Sequence, residues 1–149
     1  LLAVYNTVGF VCLHQGRYKK AKYSLLEGLK LAESIEEPYV PRVVFLNSLG
    51  ILYAHLEKYD KASKKYFEVV QYSKKSCVGY PDSLCTISVI KGLNNLGTIY
   101  NRLRAYDKAI ELQGISASKW LRLKRKNLGQ GQAADNLSAS NACENSLNS

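Results

Sequence analysis

The sequence predicts an all-α chain built from repeated antiparallel helix pairs, and three observations predict it. A seven-residue segment recurs as Asn6-Thr7-Val8-Gly9-Phe10-Val11-Cys12, Asn47-Ser48-Leu49-Gly50-Ile51-Leu52-Tyr53 and Asn94-Asn95-Leu96-Gly97-Thr98-Ile99-Tyr100. Each copy is followed at one fixed offset by a tyrosine and then an alanine: Tyr18 and Ala21, Tyr59 and Ala62, Tyr106 and Ala109. Proline and glycine clusters fall between the copies, where chain direction must change. The glycines recur after 41 and then 47 residues (50 − 9 and 97 − 50), and a degraded fourth copy around Asn136-Leu137-Ser138 begins another 41 on (138 − 97). A fixed period of this length marks a stacked repeat, in which each unit buries its apolar face on its neighbours.

The elements follow in order. The first pair is expected at about 2–15 and 18–35, turning at Gly16-Arg17. Pro38 and Pro41 punctuate the joint that follows, Pro41 suiting the first turn of the next helix, where no N–H is needed. The second pair is expected at about 41–56 and 60–76, with Asp60 at the cap or in the first turn of its second helix. Gly79-Tyr80-Pro81-Asp82-Ser83 forms a longer joint and accounts for the 47-residue spacing, with Asp82 or Ser83 as cap. The third pair is expected at about 83–103 and 107–126. Gly129 and Gly131 then break the chain before a weak helix at about 132–143 and a polar, frayed tail. The organisation is one repeat domain over 1–128, with units at 2–37, 41–77 and 83–126, and a degenerate segment over 129–149.

Within each unit the small residues have a packing role. Gly9, Gly50 and Gly97 let two helix backbones approach, at about 1 kcal/mol of helix propensity each. Ala21, Ala62 and Ala109 leave room on the facing helix, and Tyr18, Tyr59 and Tyr106 fill the space by the turn while keeping the hydroxyl near water. Tyr53 and Tyr100 close the repeated segment itself. The third unit departs from the pattern. Gln113 stands where Leu25 and Tyr66 stand in the first two, so its second helix is less securely packed.

These residues resemble the tetratricopeptide-repeat (TPR) family over roughly residues 2–116, in a long-period form similar to kinesin light chains, Leu-Gly-Asn-repeat polarity adaptors and bacterial peptide-sensing regulators. The resemblance implies a right-handed α-solenoid of about three units plus a degenerate fourth first helix. It also implies that the first helix of each pair lines a concave face, and that the protein is a non-enzymatic scaffold for a peptide or protein segment, with the peptide-responsive sensory half of a bacterial regulator as the alternative.

Helical spacing of three, four and seven residues then selects the groove-facing side chains. It groups Asn6, Thr7, Phe10 and His14 in the first unit, Asn47, Ser48, Ile51 and His55 in the second, and Lys91, Asn94, Asn95, Thr98 and Arg102 in the third. Two ladders result, Asn6/Asn47/Asn94 and His14/His55/Arg102. An amide both donates and accepts, so it can hold a peptide backbone without demanding a particular side chain. Arg102, with the histidines when protonated, suits a carboxylate. The competing reading is structural: the asparagines support neighbouring helices, and the histidines bond free carbonyls at helix ends. Of the positions at which some TPR domains clamp a chaperone's terminal carboxylate, only Lys91 agrees here.

Charge and composition set the remaining expectations. The formal charge is +9, and Lys119, Arg122, Lys124, Arg125 and Lys126 fall in one short run around Trp120. The run reads first as a solvated face, then as a nuclear-import signal, a membrane-surface helix or a calmodulin-target-like helix. The basic balance favours an acidic protein or peptide partner, and nucleic acid ranks below that. Cys12, Cys77, Cys85 and Cys143 lack C-x-x-C spacing, which predicts reduced thiols in a cytoplasmic compartment, with the nucleus as variant. No phosphate loop, nucleophile elbow or metal-ligand spacing occurs, so no enzyme activity, cofactor or metal is expected. No apolar run is long enough for a membrane span. Apolar faces left uncovered at the ends of the stack invite self-association.

Overall fold

The chain is described by a computed structural model covering residues 1–35, 39–77 and 79–147, with side chains to residue 129. The described residues form six helices and no strand: α1 (Leu2–His14), α2 (Tyr18–Glu33), α3 (Tyr39–His55), α4 (Tyr59–Lys75), α5 (Asp82–Arg102) and α6 (Tyr106–Leu147). Each helix packs against the next in the chain, and α3 also touches α1 and α5.

The turns inside the pairs are built alike. After α1, the Gly16 N–H donates to the Leu13 carbonyl at 3.1 Å and the Arg17 N–H to the Cys12 carbonyl at 2.8 Å. Glu57 and Lys58 repeat the pattern on Ala54 and Tyr53, and Arg104 and Ala105 repeat it on Asn101 and Tyr100. This is the Schellman arrangement, whose pivot residue takes a left-handed backbone. The pivots are Gly16 at φ 70°, Glu57 at φ 57° and Arg104 at φ 60°. Only the first is a glycine, so the other two carry a steric cost of roughly 1 kcal/mol each.

The small residues sit where close approach requires them. A Cβ on Gly9 would stand 2.5 Å from Leu25 Cδ2, and one on Gly50 would stand 2.5 Å from the Tyr66 ring. Ala21, Ala62 and Ala109 are buried. The core is two clusters joined through α3: one of Leu25, Phe45, Leu49 and Leu52 with their neighbours, the other of Tyr66, Val70, Leu93, Leu96 and Ile99. Ile51 and Tyr53 pack against both. Tyr18 packs on the first cluster, and Tyr59 and Tyr100 on the second. Tyr106, expected to do the same in the third unit, is 55% exposed instead.

Four expectations need correction. Helix α3 begins at Tyr39, so Pro41 is its third residue, still within the first turn, whose N–H groups have no intrahelical partner. Pro38 lies outside the described residues. Asp82 and Ser83 do not cap α5; Pro81 occupies the cap position with no side-chain hydrogen bond, and the Asp82 carboxylate accepts from Lys126 Nζ at 2.6 Å. The predicted break at Gly129 and Gly131 is not there, because α6 runs through both to Leu147. Glycine lowers helix propensity by about 1 kcal/mol without forbidding helical dihedrals, and the run from Gln130 to Ala134 contains no proline. Finally, Cys77 and Cys85 are not free thiols. They form a disulfide across the α4–α5 joint with Cα atoms 6.0 Å apart, because the first turn of α5 folds back onto the end of α4. Cys12 is a buried free thiol.

Candidate functional site

Helices α1, α3 and α5 lie side by side, and polar side chains link them. Ser48 Oγ on α3 donates to Asn6 Oδ1 on α1 at 3.4 Å, and Asn95 Nδ2 on α5 donates to Asn47 Oδ1 on α3 at 2.7 Å. The links follow one rule: the asparagine of one unit meets the next residue along in the following unit. Asn94, equivalent to Asn6 and Asn47, has no such link and is exposed. The predicted ladder is therefore not three equivalent amides. Two brace neighbouring helices, and the third faces solvent.

The Asn47–Asn95 bridge separates two open cavities between α3 and α5. The upper one, of 190 Å³, is walled by Val40, Val43, Val44, Leu84 and Ile87, with Asn47, Ser48 and Lys91 along its edge. It is apolar enough to accept an aliphatic side chain. The lower one, of 230 Å³, gathers Ile51, His55, Asn95, Thr98 and Arg102, with Glu57 at its mouth. After the bridge is made, Asn47 keeps its amide donors and Asn95 keeps its carbonyl oxygen, so the bridge can still receive a backbone C=O and N–H. Arg102 is exposed and can present its guanidinium to a carboxylate.

The structure thus brings together Asn47, Lys91, Ile51, His55, Asn95 and Arg102. It leaves Phe10 and His14 apart, at the far end of α1, where the two rings meet edge to face with centroids 4.3 Å apart. Phe10 is 59% exposed. Sequence reasoning missed the valine wall and Glu57. The wall was legible in the spacing Val40, Val44, Asn47, Ile51 once α3 is extended back over Tyr39 and Val40. Glu57 was hidden because turn residues carry no periodicity.

The joint beside the upper cavity is aromatic. Tyr39 stacks on Tyr72 with centroids 5.8 Å apart and tilts against Tyr80 at 4.9 Å, while the Arg42 guanidinium lies over the Tyr72 ring at 4.7 Å. Tyr66, behind Gly50, has its phenol pushed up to about 12 by burial and stays neutral at any physiological pH. Among the described residues, no three His, Cys, Asp or Glu side chains are placed to share a metal ion, and no helix is long and apolar enough to cross a membrane. Comparison with known protein families and with curated protein sequences gives no match.

Proposed function

We propose that the chain is a protein-interaction scaffold of the tetratricopeptide type. In this reading its helix pairs stack as a right-handed solenoid, and α1, α3 and α5 line a concave groove that holds an extended peptide. The observation that carries the reading is the Asn47–Asn95 bridge, with an apolar cleft on one side and a polar basin on the other. A peptide crossing it would place an aliphatic side chain against Val40, Val44 and Ile87, rest its backbone on the two amides, and bring an acidic group to Lys91 or Arg102. Recognition of this kind needs no cofactor, because backbone hydrogen bonds give affinity and the pockets give selectivity.

The reading is tested by selecting peptides from a random display library on the purified chain and measuring the affinity of those enriched. A charge in the cleft, Val44→Asp, is expected to weaken them at least about tenfold, since it leaves a carboxylate facing apolar wall. Arg102→Gln is expected to weaken only the acidic ones. If nothing enriches, or if Val44→Asp binds the enriched peptides as well as the parent chain does, the groove is not the binding surface.

A further inference from the structure

A second site lies on a different part of the molecule, where α4, α5 and α6 meet. Between the first turn of α5 and residues 115–126 of α6 is an open cavity of 530 Å³, lined by Thr86, Ser118, Lys119, Arg122 and Lys126 among others. A smaller basin of 280 Å³ shares Asp82, Thr86 and Lys119 with it and continues to Ser73 and Lys74 on the last turn of α4. The α6 residues arrive at spacings of three, four and seven, so one helical face delivers three cations to the cavity. Lys124 and Arg125, in the same basic run, do not line it.

Charge in this trough is unbalanced. Lys74, Lys119, Arg122 and Lys126 face one carboxylate, Asp82, which is taken by Lys126. Lys74, Lys119 and Arg122 make no ion pair among the described residues. The wall also holds a polar atom without a partner. Ser73 is 2% exposed, and its Oγ makes no hydrogen bond although it lines the smaller basin. The Cys77–Cys85 disulfide forms part of the same wall and ties α4 to the first turn of α5, which fixes the α4–α5 side of the trough.

We infer that this trough binds a small, multiply phosphorylated molecule, with Lys119, Arg122 and Lys126 on one phosphate cluster and Lys74 on another. Several separated cations call for several anionic groups. The volume lies within the roughly 300–1,000 Å³ usual for small-ligand sites. Arg122 can take phosphate oxygens in a bidentate fork, while the lysines act as point charges. Lys126 exchanges Asp82 for the ligand, so Asp82 works against binding. A nucleic-acid surface would instead use Lys124 and Arg125 as well, because a phosphate backbone follows the whole basic run.

Isothermal titration calorimetry on the full chain tests the inference, with inositol hexakisphosphate and pyrophosphate as probes and circular dichroism to check that each variant folds. Saturable binding is expected. Lys119→Gln with Arg122→Gln should weaken it by at least about tenfold, as expected for lost charge-assisted hydrogen bonds. Lys124→Gln with Arg125→Gln removes the same charge outside the cavity and should change it less than about twofold, as rim charges do. Asp82→Asn should tighten it severalfold. No saturable heat with either probe overturns the inference. So does equal loss in the two double variants, or tighter binding of a single-stranded RNA that depends on all four cations alike, since a basic surface would then suffice.

Discussion

The first two helix pairs and the third carry the same repeat signature, yet they are packed differently. In the first, Leu25 fills the space over Gly9 and is buried; in the second, Tyr66 does so over Gly50. In the third, Gln113 takes that place, an exposed, flexible side chain whose Cγ lies 3.2 Å from where a Cβ on Gly97 would stand. Helix α6 buries Ala109, Ser116 and Leu123 in its described part, while Ile110, Ile115, Trp120, Leu121 and Leu128 are exposed. Turn chemistry and register are thus inherited by all three units, whereas core filling is not. A repeat motif specifies where helices cross, and the residue opposite each crossing decides how much apolar surface the crossing removes from water.

The largest expected effects break the comparison at those crossings. Tyr66→Ala should cost about 3–5 kcal/mol and Leu25→Ala about 2–5 kcal/mol, from lost burial and the cavity left behind. Gln113→Ala should cost less than about 0.5 kcal/mol, as exposed positions do. Urea denaturation followed by far-ultraviolet circular dichroism measures all three. A Gln113→Ala loss as large as that of Leu25→Ala would mean that the third pair is packed as tightly as the first.

The glycines sharpen the same contrast. Gly50→Ala sets a methyl against the Tyr66 ring at 2.5 Å, and overpacking of about 1–3 kcal/mol outweighs a helix-propensity gain of about 1 kcal/mol. Gly97→Ala meets a flexible side chain at 3.2 Å, so its net effect should lie near zero. Gly114→Ala meets nothing within 4 Å and should stabilise the chain by about 1 kcal/mol. Melting temperatures of the three variants should therefore fall, stay and rise in that order. Any other order would place the loose crossing somewhere other than Gly97.

Smaller effects are expected at the turns, where the units agree. Glu57→Gly and Arg104→Gly should each stabilise by about 0.5–1 kcal/mol, because glycine removes the left-handed strain at slightly greater unfolded-state entropy. Gly16→Ala should cost about as much. If Arg104→Gly alone has no effect while Glu57→Gly does, the third turn is already frayed in solution.

The sequence was most legible where one residue type has one mechanical use. Gly9 and Gly50 and the alanines at the crossings marked the close approaches, and the Tyr-x-x-Ala spacing placed the start of each second helix to within a residue or so. It was least legible where the outcome depends on competition. Gly129 and Gly131 are weak helix residues, and nothing in their own chemistry says whether the helix ends there. The Cys77–Cys85 pairing depends on how the joint folds back, which spacing alone does not contain. At the groove, the residue types were right but their roles were divided by geometry. Asn47 and Asn95 bridge two helices, Asn94 points to solvent, and the apolar wall is completed by Val40, which the register had placed outside α3.

The weakest contact in the comparison is the one that ties the distal part of α6 back to α5. Lys126 meets Asp82 at 2.6 Å, with both side chains more than half exposed, at a point on α6 beyond the length reached by α2 and α4 in their units. The hydrogen bond from Lys126 and its charge, with a smaller contribution from Arg122, hold the Asp82 carboxyl below the usual carboxylate range. The sign follows from that direction. A folded value below the unfolded one gives stability that is present above the ordinary carboxylate range and lost as pH falls through the depressed value. Asp82→Asn should therefore lower the melting temperature slightly at neutral pH and low salt. The difference should close in strong acid, and in 1 M salt as well, because exposed charges are screened within about 3 Å there. A difference that survived both conditions would show that Asp82 supports α5 through something other than its charge. The Lys126–Asp82 tether would then not be purely electrostatic.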